Sequence, residues 1–427
     1  MTDCYPRTLV LANNSFSRSN SNGRTLGNLF KGWSKDRLAQ FAIMCIDPDF
    51  EVCDNYYQVS DVDVIHSVLK GDDAVTGTAV EAGTPETSQR YKGGAGGRTA
   101  FKTLARNFLW NLGRWRGRRF AQWIDAFNPE VIVLQSGDAA FMHRLAQRLA
   151  RQRNIPLVIY NTEGYVFFDH NYMRHHWSDF VAFPWFKRQY RRAFRRSLTM
   201  AAHSVYLNDK LLADHEAFMP HPGSVIYNSS SLEFRPKAAV NVPPRISYLG
   251  NLGIRRPEAL AEAAAVLQSM SPDYHIDVYG NASDAAKAVF AAAKGIRYHG
   301  TVPYDEVVST IYASDIILHV EKNDPVLCRE LRYAFSTKIA DSVCSGTDFV
   351  IYAPDNLACS QYARTTGAAW QASTPASLRA VFEKILYNSP ERAAVLANGR
   401  RAANNNHNLQ HNAAQMKTIL NEVVAKS

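Results

Sequence analysis

The stretch that most constrains the fold is Ser314–Pro354, SDIILHVEKNDPVLCRELRYAFSTKIADSVCSGTDFVIYAP. It reads as a buried strand over Ile316–Val320, a polar loop, a helix opening at Ser336-Thr337 and ending at Gly346, and a second strand over Phe349–Tyr352 that Pro354 stops. Both strand runs are continuously apolar rather than alternating, the pattern of parallel strands covered on two faces. Ser336 or Thr337 suits the N-cap and Gly346 the left-handed position after the last turn. A helix that starts at the carboxyl end of a parallel strand offers free amide N–H groups to an anion. Lys338 sits in that first turn, where the helix dipole alone disfavours a cation; an anionic ligand would offset the cost.

The same alternation of strand, loop and helix recurs along the chain. Strands are expected at Thr8–Ala12, Gln40–Ile46, Val131–Gln135, Pro156–Tyr160, Ser204–Leu207 and Ser224–Tyr227. A polar, proline-containing passage near Asn228–Pro244 reads as a linker. A second set follows: strand Ile246–Leu249, helix Pro257–Met270, strand His275–Tyr279, strand Ile296–His299, and then the opening stretch. The expected organisation is an α/β chain of two Rossmann-like domains facing each other across a cleft, with ligands at the carboxyl ends of the strands. The N-terminal domain is placed at residues 1–235, the C-terminal domain at 236–405. A helix over 406–427 is expected to be able to pack back on the N-terminal domain. Residues 71–98, poor in large apolar side chains, read as a flexible insertion.

Several classes are excluded. The six cysteines have no metal-ligand spacing and read as reduced, buried thiols. No histidine spacing suggests a metal site, no nucleophile elbow suggests a hydrolase, and no Gly-x-x-x-x-Gly-Lys-Ser/Thr loop suggests an NTPase. With no leader-like segment and no apolar run of spanning length, the chain is expected to be cytoplasmic. The net charge of +9 is concentrated in patches, but no motif accompanies them that would indicate a nucleic-acid partner.

In the C-terminal half, the ordered set YLGNLGIRRPEAL, VYG, IRYHGTVPYDEV, YASDIILHVE and FSTKIADSVCSG resembles the donor-binding domain of GT-B-fold glycosyltransferases. It is most similar to the retaining class of bacterial capsular and surface-polysaccharide biosynthesis. The N-terminal ANNSFSRSNSNGRTLGNLFKGW is similar to the first acceptor-side loop of capsular-type members. The resemblance implies transfer of a sugar from a nucleotide sugar to a lipid-linked or growing polysaccharide, with retention and no cofactor or metal. Cations and amide donors must then hold the departing diphosphate. Arg255 or Arg256 suits this through its guanidinium fork, and Lys338 through its point charge. Ser336 and Thr337 open the anion-binding helix, and Gly250, Asn251, Gly280 and Gly300 end strands on the donor side.

The family commonly carries two acidic residues, a Glu–seven residues–Glu pair, for sugar and ribose. Here Glu321 and Asp341 match at a separation of 20, with Glu330 in the intervening loop as an alternative to Glu321. On the acceptor side the resemblance points to Gly23 and Arg24 in the first loop, to Glu163 near the reacting centre, and to Ser136 and Asp138. Catalytic roles are expected for Glu163 and Glu321.

In Phe183–Leu198, Phe186, Tyr190 and Phe194 share one helical face flanked by Lys187, Arg188, Arg191, Arg192, Arg195 and Arg196. This reads either as an aromatic stripe on an anionic membrane surface or as core packing beneath a solvated basic face. Trp110, Trp115 and Arg114–Arg119 could extend the membrane surface, placing the protein peripherally on the inner face of the cell membrane. Two rival readings remain: a sugar-nucleotide epimerase of the same architecture, and a non-catalytic membrane- or polyanion-binding protein.

Overall fold

The structure is a computed structural model that describes residues 5–17, 21–70, 77–80 and 97–427. The chain divides into two units, one of residues up to Leu207 with Leu211–Ile226 and Asn412–Ser427, the other of Asn208–Lys210 with Tyr227–His411. The division at 226/227 precedes the expected one at 235/236. Phe234 and Pro236 lie against residues of the second unit, so the proline-containing passage is already packed there rather than acting as a free linker.

Among the described residues the first unit holds an eight-stranded sheet. Its strands are β1 (Thr8–Asn14), β2 (Leu38–Met44), β3 (Asn55–Gln58), β4 (Thr78–Val80), β5 (Val131–Ser136), β6 (Leu157–Asn161), β7 (His203–Tyr206) and β8 (Gly223–Val225). They run in the order β4-β3-β2-β1-β5-β6-β7-β8. All pairings are parallel except β4 on β3. The continuous apolar runs are explained by cover on both sides. Leu9, Leu11, Ile132 and Leu134 point into one cluster with helices Ala140–Arg153 and Asp179–Met200. Val10, Val131 and Val133 point into the other, which includes Met416, Ile419, Leu420 and Val423 of the C-terminal helix.

Two expectations are corrected here. Phe186, Tyr190 and Phe194 are core side chains, at most 2% exposed, and Trp110 and Trp115 are equally buried; none of them forms a membrane stripe. Most of the proposed insertion 71–98 lies outside the described residues. Its residues 78–80, however, add an edge strand, and Arg98 pairs with the buried Asp138.

The second unit has a six-stranded parallel sheet among the described residues. It comprises β9 (Ile246–Leu249), β10 (Ile276–Tyr279), β11 (Ile296–Gly300), β12 (Ile316–Val320), β13 (Asp348–Tyr352) and β14 (Trp370–Ala372). The order β11-β10-β9-β12-β13-β14 is that of a doubly wound dinucleotide-type domain, and it reverses between β9 and β12. The helix that leads into β13 is Thr337–Ser345, capped by Ser336 Oγ on the Lys338 N–H and ended by Gly346 at φ 78°. A Cβ at Gly346 would lie 2.8 Å from Pro236 N, so both the backbone angle and the crowding require glycine. Behind this helix Arg392 fixes the buried Asp348 through a 2.7 Å bond and donates to the carbonyls of Lys237 and Ala238.

Candidate donor site at the second sheet

The reversal between β9 and β12 leaves a crevice at the carboxyl ends of both strands, where an open α/β sheet binds its ligand. The loop leaving β9 turns sharply: Ile254 and Arg255 both adopt left-handed backbone, at φ 59° and 56°. A β-branched residue there costs of the order of 1–3 kcal/mol. The turn starts helix Arg256–Met270 with Arg256 at its head, facing the end of β12. Glu321, the first residue beyond β12, receives two bonds from Arg256, Nε to Oε2 at 3.1 Å and Nη2 to Oε1 at 2.6 Å. The two side chains are 11% and 3% exposed.

This pairing revises two expectations at once. Arg256 and Glu321 do meet at the site, but they hold each other, so Glu321 orients the guanidinium instead of standing open to a sugar. Burial raises the Glu321 carboxyl above its ordinary value, and Arg256 works against that rise. His319, two residues earlier, has Nε2 3.5 Å from Glu321 Oε1. Burial, with Arg256 and Lys338 nearby, pushes His319 down to about 3, so its ring is neutral at physiological pH.

A cavity of about 50 Å³ opens here, lined among others by Gly250, Asn251, Arg256, His319, Ser336 and Lys338. It has room for water-sized groups. Its rim carries the half-buried Lys338 and the capped N-terminus of helix Thr337–Ser345, which supplies amide donors and a positive dipole end. Beside the internally neutral Arg256–Glu321 pair, Lys338 and the helix terminus place an ammonium group and amide donors at this edge.

The remaining donor-side residues fall around this floor. Arg255 is half exposed and pairs with Glu258 at 3.2 Å and Asp324 at 2.9 Å. The segment between Glu321 and Lys338 is not all loop, because Asp324 caps a short helix, Pro325–Glu330, whose last residue is Glu330. Gly250, Gly280 and Gly300 stand at adjacent strand ends. At Gly280, φ 153°, a Cβ would lie 2.0 Å from the Gly250 carbonyl oxygen, so glycine permits that approach. Thr337 is the first helical residue. Asp341 is buried and accepts a 2.6 Å bond from Ser230 Oγ. It is turned toward the incoming chain, away from the cavity lining.

The expected acceptor-side residues collect in the first unit, at the carboxyl ends of β1, β5 and β6. Gly23 lies in helix Ser21–Asn28, where a Cβ would come within 2.4 Å of the Ser15 carbonyl oxygen. The close approach expected for a ligand is therefore made by the protein's own loop. Arg24 is half-buried on the same helix. Ser136 is buried, with Oγ 3.5 Å from His143 Nε2. Asp138 pairs with Arg98 and accepts a 2.7 Å bond from the Tyr172 hydroxyl. Glu163 follows β6 and is exposed as a residue, while protein atoms crowded about its carboxyl strip it of water and push it up to about 7.

The sequence reading missed three groups. His319 is hidden inside an apolar run, where a histidine reads as core. Asn14 and Asn161 end β1 and β6, and both are buried; Asn14 Oδ1 and both amide atoms of Asn161 have no hydrogen-bond partner among the described residues. Their only sequence signal is an amide at the polar end of a strand.

Residues 255–418 match the family described as glycosyl transferase-like. No curated protein matches the chain. Among solved structures the chain is similar to Anabaena Alr3699/HepE in complex with UDP-glucose, at 11% identity and TM-score 0.63, over 98% of this chain and 100% of that one. It is similar to a glycosyltransferase from Rickettsia africae at 14% identity and TM-score 0.57, over 100% of both chains. It is also similar to Phytolacca americana UGT2, solved with UDP-2-fluoro-glucose and pterostilbene, at 9% identity and TM-score 0.52, over 98% and 100%. Residues 255–418 thus match a glycosyl transferase-like model, and the chain shares the GT-B fold, two Rossmann-like domains, with these solved structures.

Proposed function

We propose that this protein transfers a sugar from a UDP-sugar donor to a hydroxyl of a lipid-linked or growing glycan, with retention at the anomeric carbon and without a metal. The observation that carries the donor half is the convergence, at one edge of the second sheet, of Lys338 and a helix N-terminus on the cavity beside the buried Arg256–Glu321 pair. UDP is favoured as the carrier because Anabaena HepE was solved with UDP-glucose on a similar fold.

In the transfer the bond from the anomeric carbon to the diphosphate oxygen breaks and a bond to the acceptor oxygen forms. Negative charge gathers on the departing diphosphate. The Lys338 side chain and the amide at Thr337 are assigned to hold that charge, and Glu321 keeps Arg256 aimed at the same place. His319, neutral at physiological pH, offers a ring hydrogen bond without competing for the phosphate. Retention by front-face attack lets an oxygen of the departing diphosphate take the proton of the attacking hydroxyl, and Glu163, its carboxyl pushed up to about 7, is assigned to the acceptor side.

The acceptor, the capsular or surface-polysaccharide role and a cytoplasmic, membrane-peripheral location form the wider part of this reading, supported by the basic outer face of helix Asp179–Met200. Among the described residues no helix is long and apolar enough to cross a membrane.

Calorimetry of the full chain against UDP-, GDP-, CMP- and dTDP-sugars tests the donor assignment. Saturable binding to a UDP-sugar, weakened in Lys338→Ala, is expected. Binding of a GDP-sugar alone would reject UDP, and epimerised sugar nucleotide formed without acceptor would favour an epimerase.

A further inference from the structure

On one face of the first sheet, helix Ala100–Leu112 packs beside helix Asp179–Met200, which packs beside helix Ala140–Arg153. Their inner sides share a core that includes Trp110, Phe141, Phe186 and Phe194. Their outer sides are unusual. Phe101 and Phe108, two turns apart, are 58% and 63% exposed, and Trp177, Phe180 and Trp185 are 81%, 76% and 67% exposed.

Exposed large aromatics in this number, on two packed helices and the turn that leads into one of them, mark an interaction surface. On the long helix the character then changes along a single outer stripe. Trp185 is followed at helical spacing by Arg188, Arg192 and Arg196, all exposed. With Arg151 of the neighbouring helix these arginines line a groove that has, among the described residues, no acidic side chain in its lining.

Aromatic rings next to a row of arginines match the two layers of an anionic membrane boundary. The rings suit the zone between headgroups and acyl chains, and the guanidinium groups suit the phosphates. A protein partner would have to offer an apolar patch and a separate acidic strip in the same order, whereas a lipid surface offers both everywhere.

We propose that this face docks on an anionic phospholipid surface, with Trp177, Phe180 and Trp185 entering the headgroup boundary and the arginines of the same helix meeting lipid phosphates. The proposal rests on the membrane-peripheral part of the reading above and assigns it a surface; it relocates the apolar contact from the buried Phe186–Phe194 stripe to the exposed rings of the helix and the turn before it.

The test uses the full chain and vesicles of phosphatidylglycerol with phosphatidylcholine, or phosphatidylcholine alone. The wild type is expected to sediment with the anionic vesicles and less so as salt rises. Its tryptophan emission should shift to the blue and be quenched by brominated acyl chains. The variant Trp177→Ser/Phe180→Ser/Trp185→Ser should lose about tenfold or more in partitioning and all of the quenching. Arg188→Glu/Arg192→Glu/Arg196→Glu should lose the preference for anionic lipid. Both variants should keep the wild-type circular dichroism melt.

Wild-type partitioning by the aromatic variant, or equal binding to neutral and anionic vesicles, would overturn the proposal. So would lipid-free self-association that the aromatic variant abolishes, since the face would then be a contact between copies. Donor binding separates the two readings: a chain that binds UDP-sugar but no vesicles sinks this surface alone. One that binds vesicles but no nucleotide sugar sinks the catalytic reading and leaves the surface standing.

Discussion

The carboxyl edges of the two sheets are built on the same doubly wound plan but use their polar residues differently. At the second edge, Arg256 and Glu321 are buried together directly beside a cavity, with Lys338 and a helix N-terminus on its rim. At the first edge, Ser136 and Asp138 are spent on internal partners, His143, Arg98 and Tyr172. Gly23 is required by the packing of its own helix on the first loop. Of the first-edge residues the sequence singled out, Glu163 is an exposed residue. The lesson is that position at a strand end selects candidates, and only the direction of the side chain separates a group that serves the fold from one that serves a ligand.

The contrast can be broken most severely at the buried pair. Arg256→Ala leaves Glu321 uncompensated and should destabilise the second unit by about 3–5 kcal/mol in urea unfolding. The double variant Arg256→Leu/Glu321→Leu should recover most of that stability yet bind no UDP-sugar. Recovery of both properties would make the pair purely structural. At the first edge, Asp138→Ala strands the Tyr172 hydroxyl and should cost about 1–3 kcal/mol of stability. Its UDP-sugar affinity should remain that of the wild type, and a loss of affinity there would erase the distinction between the two edges.

Acidification is a milder probe that treats both units alike. Burial holds His143, His215 and His407 down at about 4 and His319 at about 3, against an ordinary 6.5. The unfolded chain therefore takes up protons near pH 6.5 that the folded chain refuses. Their stabilising contribution is complete above pH 6.5 and declines as pH falls toward 4, at a limit of about 1.4 kcal/mol per pH unit for each group. Chemical denaturation at pH 7.5, 6 and 5 should show the decline; a flat profile would contradict neutral buried histidines.

Much of the architecture was legible in the sequence because continuous apolar strands, prolines at helix starts and glycine at a helix end are local signals. Ile316–Val320, the Ser336 cap and the Gly346 stop emerge as read. Strand β3, NYYQ, was not legible, because only its two tyrosines are fully apolar-facing and its ends are amides. The aromatic period of Phe186, Tyr190 and Phe194 was legible as one helical face, but a period cannot say whether core or lipid lies against that face. The exposed Trp177, Phe180 and Trp185 follow no such period and went unremarked.

Within the site, Lys338 was legible from its unfavourable place in a first turn. The Arg256–Glu321 bond was not, because it joins residues 65 apart through a sheet order that no local pattern states. The same holds for Asp341, whose partner Ser230 is 111 residues away.

The central claim is that the second edge binds the diphosphate of a UDP-sugar, and calorimetric titration of UDP-glucose into the wild type and Lys338→Ala tests it most directly. The account predicts one saturable site in the wild type, weakened roughly 10- to 100-fold by the substitution, equivalent to about 1.5–3 kcal/mol for a charge-assisted bond. Equal affinity in the two proteins would contradict it.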